Sequence, residues 1–194
     1  MLDILTPISN TIITERTILK SFKVSDSQAL YNLIQQNKDR LIDSFPITLD
    51  NTSNETVTGY FIQKKNADWE ERISFAFGMR ESQSNQLIGY INIKNIDWVI
   101  PRAELAYFID SGFEGRGLMK EALNKIIEFC FEELKMYRLF LRVMTSNESS
   151  YKIAEGLGFI REGILRKDHR TFDGRLVDLY YYGMTYEDYK KLKN

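Results

Sequence analysis

The stretch Ala103-Glu104-Leu105-Ala106-Tyr107-Phe108-Ile109-Asp110, followed at once by Ser111-Gly112-Phe113-Glu114-Gly115-Arg116-Gly117-Leu118, constrains this chain more than any other. A strand-like segment enters a glycine-rich turn, and the turn opens an amphipathic run. That run carries Leu118, Ala122, Ile126, Cys130 and Leu134 four apart, flanked by Leu123, Ile127 and Phe131, and predicts a helix over 117–135. The first amides of a helix lack internal partners, and the helix dipole adds partial positive charge where they converge. Gly115 and Gly117 remove side chains that would keep a phosphate off the main chain, and they permit φ > 0 where the turn needs it. Arg116 can add a full charge beside those amides. The order suits a pyrophosphate site; its plainer reading is a capped helix start. No Lys-Ser/Thr follows the second glycine, which excludes a nucleoside-triphosphate loop. The glycines run G-x-G and stop, which excludes the six-residue dinucleotide fingerprint.

About thirty residues on, Tyr137 to Met144 reads as a strand with alternating apolar positions. It leads into Thr145-Ser146-Asn147-Glu148-Ser149-Ser150. Ser146 or Asn147 makes an N-cap there, and a short helix from about 149 ends at Gly156 or Gly158, before Phe159. Strand, phosphate turn, helix, strand, polar cap, short helix and Gly-Phe form a succession more specific than either loop alone.

On these residues the chain resembles the GNAT superfamily of acetyl-CoA-dependent N-acetyltransferases. Glu114-Gly115-Arg116-Gly117-Leu118-Met119 is similar to its pyrophosphate motif, usually Gln/Arg-x-x-Gly-x-Gly/Ala, and Asn147-x-x-Ser150 followed by Gly158-Phe159 to its second signature. The likeness is greatest to the branch of bacterial ribosomal-protein N-terminal acetyltransferases, to which Arg161-Glu162-Gly163-Ile164-Leu165-Arg166 also conforms. It extends from Ile13 to Met184. Glu114 and Met119 depart from the motif, Glu114 placing an acid at the mouth of the site. The resemblance implies one N-acetyltransferase domain over 10–188, with acetyl-CoA as cosubstrate and no metal. It lays Phe108, Ile109, Gly115, Arg116, Gly117, Leu118, Met119 and Asn147 along the cofactor.

A chain of 194 residues suits one domain with a substantial core, and 43% hydrophobic content argues against disorder. Acidic and basic residues nearly cancel, so no direct nucleic acid binding is expected. The single cysteine, Cys130, excludes an internal disulfide and reads as a small core residue, as in a reducing cytoplasm. The sequence opens on no signal-like run and carries no stretch long enough to span a membrane, so a cytoplasmic protein, monomer or homodimer, is expected.

The remaining pattern predicts a strand over 11–24 and a helix over 28–37 capped by Ser25 or Asp26. An irregular apolar turn over 41–46 precedes a helix over 54–65 that presents Val57, Tyr60, Phe61 and Ile62. Strands follow over 73–80, 86–95, 102–110, 160–170 and 175–184. The fold class is α/β: a mixed, mostly antiparallel sheet with helices on both faces, parallel where the long helix connects two strands.

Amide formation from a thioester needs a neutral amine, a polarised carbonyl and a proton for the departing thiolate. By resemblance Ser150 donates that proton; in many superfamily members a tyrosine does so, at the position that is Ala154 here. The branch places a glutamate nineteen residues after the signature serine, where this chain has His169, its one histidine. An imidazole can accept a proton at neutral pH. Glu104 is the rival base, since other members use a glutamate on the strand before the phosphate loop. Each has a plainer role: Ser150 or Asn147 as a helix cap, His169 as an exposed strand-end residue, Glu104 as a structural carboxylate paired with Arg or Lys. Asp178 reads as structural, and Tyr180-Tyr181-Tyr182 as packing on alternate strand faces. The acceptor is an amine, either a ribosomal-protein N-terminus or a polyamine or aminoglycoside. The polycations would require carboxylates, which 39–50 and Trp69-Glu70-Glu71 can offer. A non-catalytic acyl-CoA sensor is the alternative of another class.

Overall fold

The computed structural model describes residues 7–193. Among them eight strands form one sheet: β1 (Thr11–Ile13), β2 (Thr17–Ser21), β3 (Phe75–Glu81), β4 (Leu87–Asp97), β5 (Arg102–Ile109), β6 (Arg138–Met144), β7 (Ile160–Arg170) and β8 (Leu176–Thr185). The order across the sheet is β1-β2-β3-β4-β5-β6-β8-β7. The helices are α1 (Ser27–Gln36), α2 (Lys38–Leu41), α3 (Pro46–Asp50), α4 (Glu55–Glu70), α5 (Leu118–Glu128), α6 (Glu148–Gly156) and α7 (Tyr186–Lys193). Among the described residues no helix is long and apolar enough to cross a membrane.

The alternation of the strands sorts the core into two layers. Ala76, Tyr90 and Phe108 pack with Leu30, Leu33 and Ile34 of α1 and Phe61 and Ile62 of α4. Their neighbours Phe75, Phe77, Ile91 and Leu105 pack on the other face, with Ala122, Ile126 and Ile127 of α5, Ala154 of α6 and Tyr189 of α7. All eight apolar positions anticipated on the long helix are buried, Cys130 among them, and burial raises its thiol pKa. The helix is not α throughout: after Glu128 it widens into a π turn, Phe129–Glu133.

One pairing positions the site. β5 and β6 run parallel, as expected for the strands flanking α5, but their register covers only Arg102↔Arg138, Ala103↔Leu139 and Glu104↔Phe140. Beyond Glu104 the two strands part. The polar main-chain groups of β5 that face the gap have no strand partner there, and such groups need partners of some kind. The sheet therefore opens a notch in its middle.

Three further expectations need correction. Residues 11–24 form two strands, because Thr14 and Thr17 bond through amides and hydroxyls at 2.8–3.0 Å and fold the chain back into a hairpin. The 41–46 segment lies between two short helices, α2 and α3, and Pro46 starts the second, where its missing N–H costs nothing. α4 runs on to Glu70, and Tyr60 is exposed while Thr58 and Asp68 are buried; Asp68 stays inside because Lys64, Lys65 and Ser74 satisfy its carboxylate. α7 had no counterpart in the sequence reading.

Candidate active site

Two cavities meet in the notch. One, about 500 Å³, runs along the start of α5 between Phe108–Ile109, Phe113–Gly115, Gly117–Lys120 and the first turns of α6. The other, about 300 Å³, lies between β5, β6, the Ser44–Thr48 segment and the bulged part of β7. Ser44, Phe45, Tyr107, Asn147 and Ser150 line both, so a molecule in one touches the same five residues as a molecule in the other.

The glycine turn before α5 adopts a left-handed backbone. Gly115 and Gly117 have φ of +71° and +76°, the left-handed region, and Gly117 is the N-cap of α5. The first intrahelical bond runs from Glu121 N to Gly117 O at 3.0 Å, so the amides before Glu121 precede the ladder and can serve an anion. A Cβ built on Gly115 would meet no atom within 4 Å, which leaves the approach to the main chain open. These features fit the pyrophosphate of acetyl-CoA. Leu118 and Met119 send their side chains into the core, which accommodates the departure at Met119. Arg116 turns back on its own loop: it donates to Gly112 O at 2.6 Å and its guanidinium lies over the Phe113 ring.

At the junction, Asn147 is the N-cap of α6, its Oδ1 accepting from Ser150 N and from Ser149 Oγ at 3.1 Å. Ser150 is therefore not the cap. Its Oγ lies 3.2 Å from the Tyr107 hydroxyl, which also donates to the Ser150 carbonyl. Burial pushes the Tyr107 phenol up to about 12, so it stays neutral, giving its one proton to the Ser150 carbonyl while its oxygen accepts from Ser150 Oγ.

His169 and Glu104 both line the smaller cavity, in different states. The register between β7 and β8 shifts between Leu165 and His169, where Lys167 has φ of +55° and its amide donates to Asp178 Oδ1 at 3.0 Å. This bulge, held by Asp178 in the structural role anticipated for it, directs His169 to the cavity. The His169 Nε2 faces the Asp43 carbonyl. A carbonyl only accepts, so Nε2 carries the proton and Nδ1 is the basic nitrogen. Glu104, 3% exposed, has both oxygens engaged: Oε2 by Asn95 Nδ2 at 2.6 Å and Arg142 Nη2 at 3.0 Å, Oε1 by Arg142 Nε and Lys94 Nζ. Arg142 reaches on to Asp168 at 3.7 Å. Glu104 is thus paired with cations, as its plainer reading held.

The aromatic run packs on alternate faces. Tyr182 is buried with its hydroxyl on Glu155, and Tyr181 stacks on Phe140. Sequence reasoning missed Tyr107, Phe45 and Arg40. The alternation along β5 placed Tyr107 on the face of α5 and α6, but its meeting with Ser150, 43 residues away, had no local signal. Phe45 packs edge-on to Phe108 between the cavities. Arg40 pairs with Glu114.

The geometry can be set beside known proteins. A family profile described as an acetyltransferase (GNAT) domain matches residues 16–160. A Bacillus subtilis protein provisionally named a ribosomal N-acetyltransferase is 30% identical over 174 residues, 89% of this chain and 92% of its own. The spermidine N(1)-acetyltransferase of Vibrio cholerae is 24% identical over 116 residues, 60% of each chain. The crystal structure of a ribosomal-protein α-N-acetyltransferase in complex with coenzyme A superposes with a TM-score of 0.82 at 18% identity, covering 90% of this chain and 96% of its own; at that identity it speaks for the fold.

Proposed function

The chain belongs to the GNAT acetyltransferase family, and on that premise we propose that it acetylates a protein N-terminal α-amine of the ribosomal-protein type. Acetyl-CoA is the acetyl donor, as in the family, and supplies a thioester carbonyl for attack by the amine. The observation that carries the choice of acceptor is the state of the charges in the smaller cavity. Its carboxylates, Glu104 and Asp168, are each matched to a cation within the cavity wall, Lys94 or Arg142. A polyamine or aminoglycoside needs unpaired carboxylates, since each buried ammonium without one loses its hydration uncompensated. The acidic segments expected to offer them do not line the cavity with a carboxylate. Of residues 39–50 only Ser44 to Thr48 line the cavity, and none of those is acidic; Glu70 and Glu71 lie outside the lining. The remaining walls, Phe45, Pro46, Ile47, Leu141, Val143 and Leu179, suit the first residues of a peptide.

Within this reading the amine enters from the smaller cavity and loses a proton to Nδ1 of His169, the nitrogen left basic by the Asp43 carbonyl. Ser150 Oγ, at the junction, gives its proton toward the leaving sulfur, with Tyr107 hydrogen-bonded to the same oxygen. Glu104 holds Arg142 and Lys94 in place. No covalent intermediate is needed, and Cys130 is sealed in the core.

A thiol-release assay over a panel of peptides, polyamines and aminoglycosides, with mass spectrometry to locate the acetyl group, tests the acceptor. Unblocked peptides should react at the α-amine, and N-terminally blocked ones should not. A polyamine or aminoglycoside with a kcat/KM above that of every peptide would overturn the reading.

A further inference from the structure

Glu114 is the one acidic residue among those lining the larger cavity, which it shares with Arg40, Lys120 and Lys152. A carboxylate beside a pyrophosphate site opposes the ligand through like-charge repulsion, which grows as the site excludes water. This carboxylate is paired with Arg40, 74 residues earlier on α2, through Nη2 and Oε1. Both partners are nearly half exposed, and a pair so open contributes little to folding by itself. The arginine is nonetheless held in position. Its Nη1 donates to Asn37 Oδ1 at 3.0 Å, and the same oxygen accepts from Ser111 N at 3.1 Å. Asn37 Nδ2 donates to Asp110 Oδ2 at 2.8 Å and to Leu33 O at 2.9 Å. Asn37 is 1% exposed. A buried carboxamide thus ties the end of α1, the start of α2 and the entry to the phosphate turn into one unit that carries Arg40 to Glu114.

We propose that Arg40 is a cofactor-affinity residue acting through Glu114: it cancels the carboxylate at the mouth of the groove, so that the phosphates meet the amides of α5 without an opposing charge. The proposal rests on the pyrophosphate lying over residues 115–119. It assigns an electrostatic task to α2, and it explains how the chain accommodates an acid there.

Calorimetric titration with coenzyme A, alongside melting curves, tests it. Arg40→Gln should weaken binding about tenfold, equal to about 1.4 kcal/mol, whereas Arg40→Lys should stay within about threefold of the parent. Glu114→Gln alone should bind as tightly as the parent or tighter, because Arg40 then faces the phosphates unopposed. The double variant Arg40→Gln/Glu114→Gln should recover most of the affinity lost in the single. Unchanged affinity in Arg40→Gln, weaker binding in Glu114→Gln, or a double variant as weak as Arg40→Gln would each overturn the proposal. Should Arg40→Gln not fold, the Glu114→Gln result decides by itself. Gly117→Val, measured in the same series, separates the premise from the proposal. Unchanged affinity there would remove the phosphate site, while weakened binding there with normal binding in Arg40→Gln would remove only the role of Arg40.

Discussion

The larger cavity takes its floor from one continuous stretch, Phe108 to Lys120, whereas the smaller cavity draws on segments around residues 44–48, 94, 104–107, 141–150, 168–169 and 179. In the first, the useful groups are main-chain amides, oriented by two left-handed glycines and a helix start. In the second they are side chains, each delivered by a different element and each with a prior partner: His169 on the Asp43 carbonyl, Glu104 on Arg142, Ser150 on Tyr107. A backbone site needs local conformation and little else. A side-chain site needs the whole fold in register before any of its members is near another. The two halves should therefore fail differently when changed.

The sharpest division concerns rate. Ser150→Ala and His169→Gln should each lower kcat by about 10²-fold, the usual worth of a positioned proton donor or acceptor, with coenzyme A affinity unchanged. His169→Glu should recover much of the loss. Glu104→Gln should spare the rate and lower stability by about 2 kcal/mol, the cost of a broken buried pair reduced because its cations are partly open to solvent. Steady-state kinetics with one acceptor, beside melting curves, reads all of these. Equal turnover in Ser150→Ala would leave that hydroxyl only its bond to Tyr107, about 1 kcal/mol. A pH–rate profile that loses its acidic limb in Glu104→Gln but not in His169→Gln would reverse the assignment of the base.

On the backbone side the expected effect is in binding. A Cβ on Gly117 would come no closer than 3.6 Å to another residue, at Arg16 Nη2, so Gly117→Val meets little steric opposition. Its φ of +76° is nevertheless costly for a β-branched residue, about 1–2 kcal/mol. The variant should fold and bind coenzyme A at least about tenfold more weakly, about 1.4 kcal/mol. Calorimetry giving the parental affinity would break the comparison at its simpler end.

The smallest effect is at the junction of the two halves. The Tyr107 phenol is pushed up to about 12 by burial, above the value of about 10 for an unfolded tyrosine. A raised value of this kind contributes stability that is complete below about pH 10 and lost as pH rises through about 12. Tyr107→Phe should flatten the fall of Tm with pH over that window. Tyr182, also pushed up to about 12 by burial, should keep part of the slope in place. An identical slope in parent and variant would show that Tyr107 is as exposed in solution as in the unfolded chain.

Periodicity made the larger elements legible: α5 together with its π extension, α6 and the late hairpin lie where the apolar spacing and caps put them, within a few residues. The pattern failed where polar side chains redirected the backbone, as Thr14 and Thr17 do between β1 and β2, or where a helix of four or five residues is too short to show a period, as α2 and α3 are. At the site, the resemblance singled out Ser150 but not the tyrosine beside it. The alternatives left open by the sequence for Glu104, Ser150 and Asn147 became distinct once partners were visible: an ion-paired carboxylate, a hydroxyl bonded to Tyr107 and a helix cap.

The sequence alone determined the glycine turn, the helix it opens and the polar cap of α6, because glycine freedom, capping and hydrophobic spacing act between residues a few positions apart. Only the tertiary structure decided how far β5 and β6 stay paired, and so where the sheet opens between them. It also decided that Arg40 answers Glu114, that Asp43 orients His169 and that Tyr107 meets Ser150. Those are contacts between segments 43 to 126 positions apart. Charge and hydrogen bonding act over a few ångströms, and only the packed fold brings such distant residues that close.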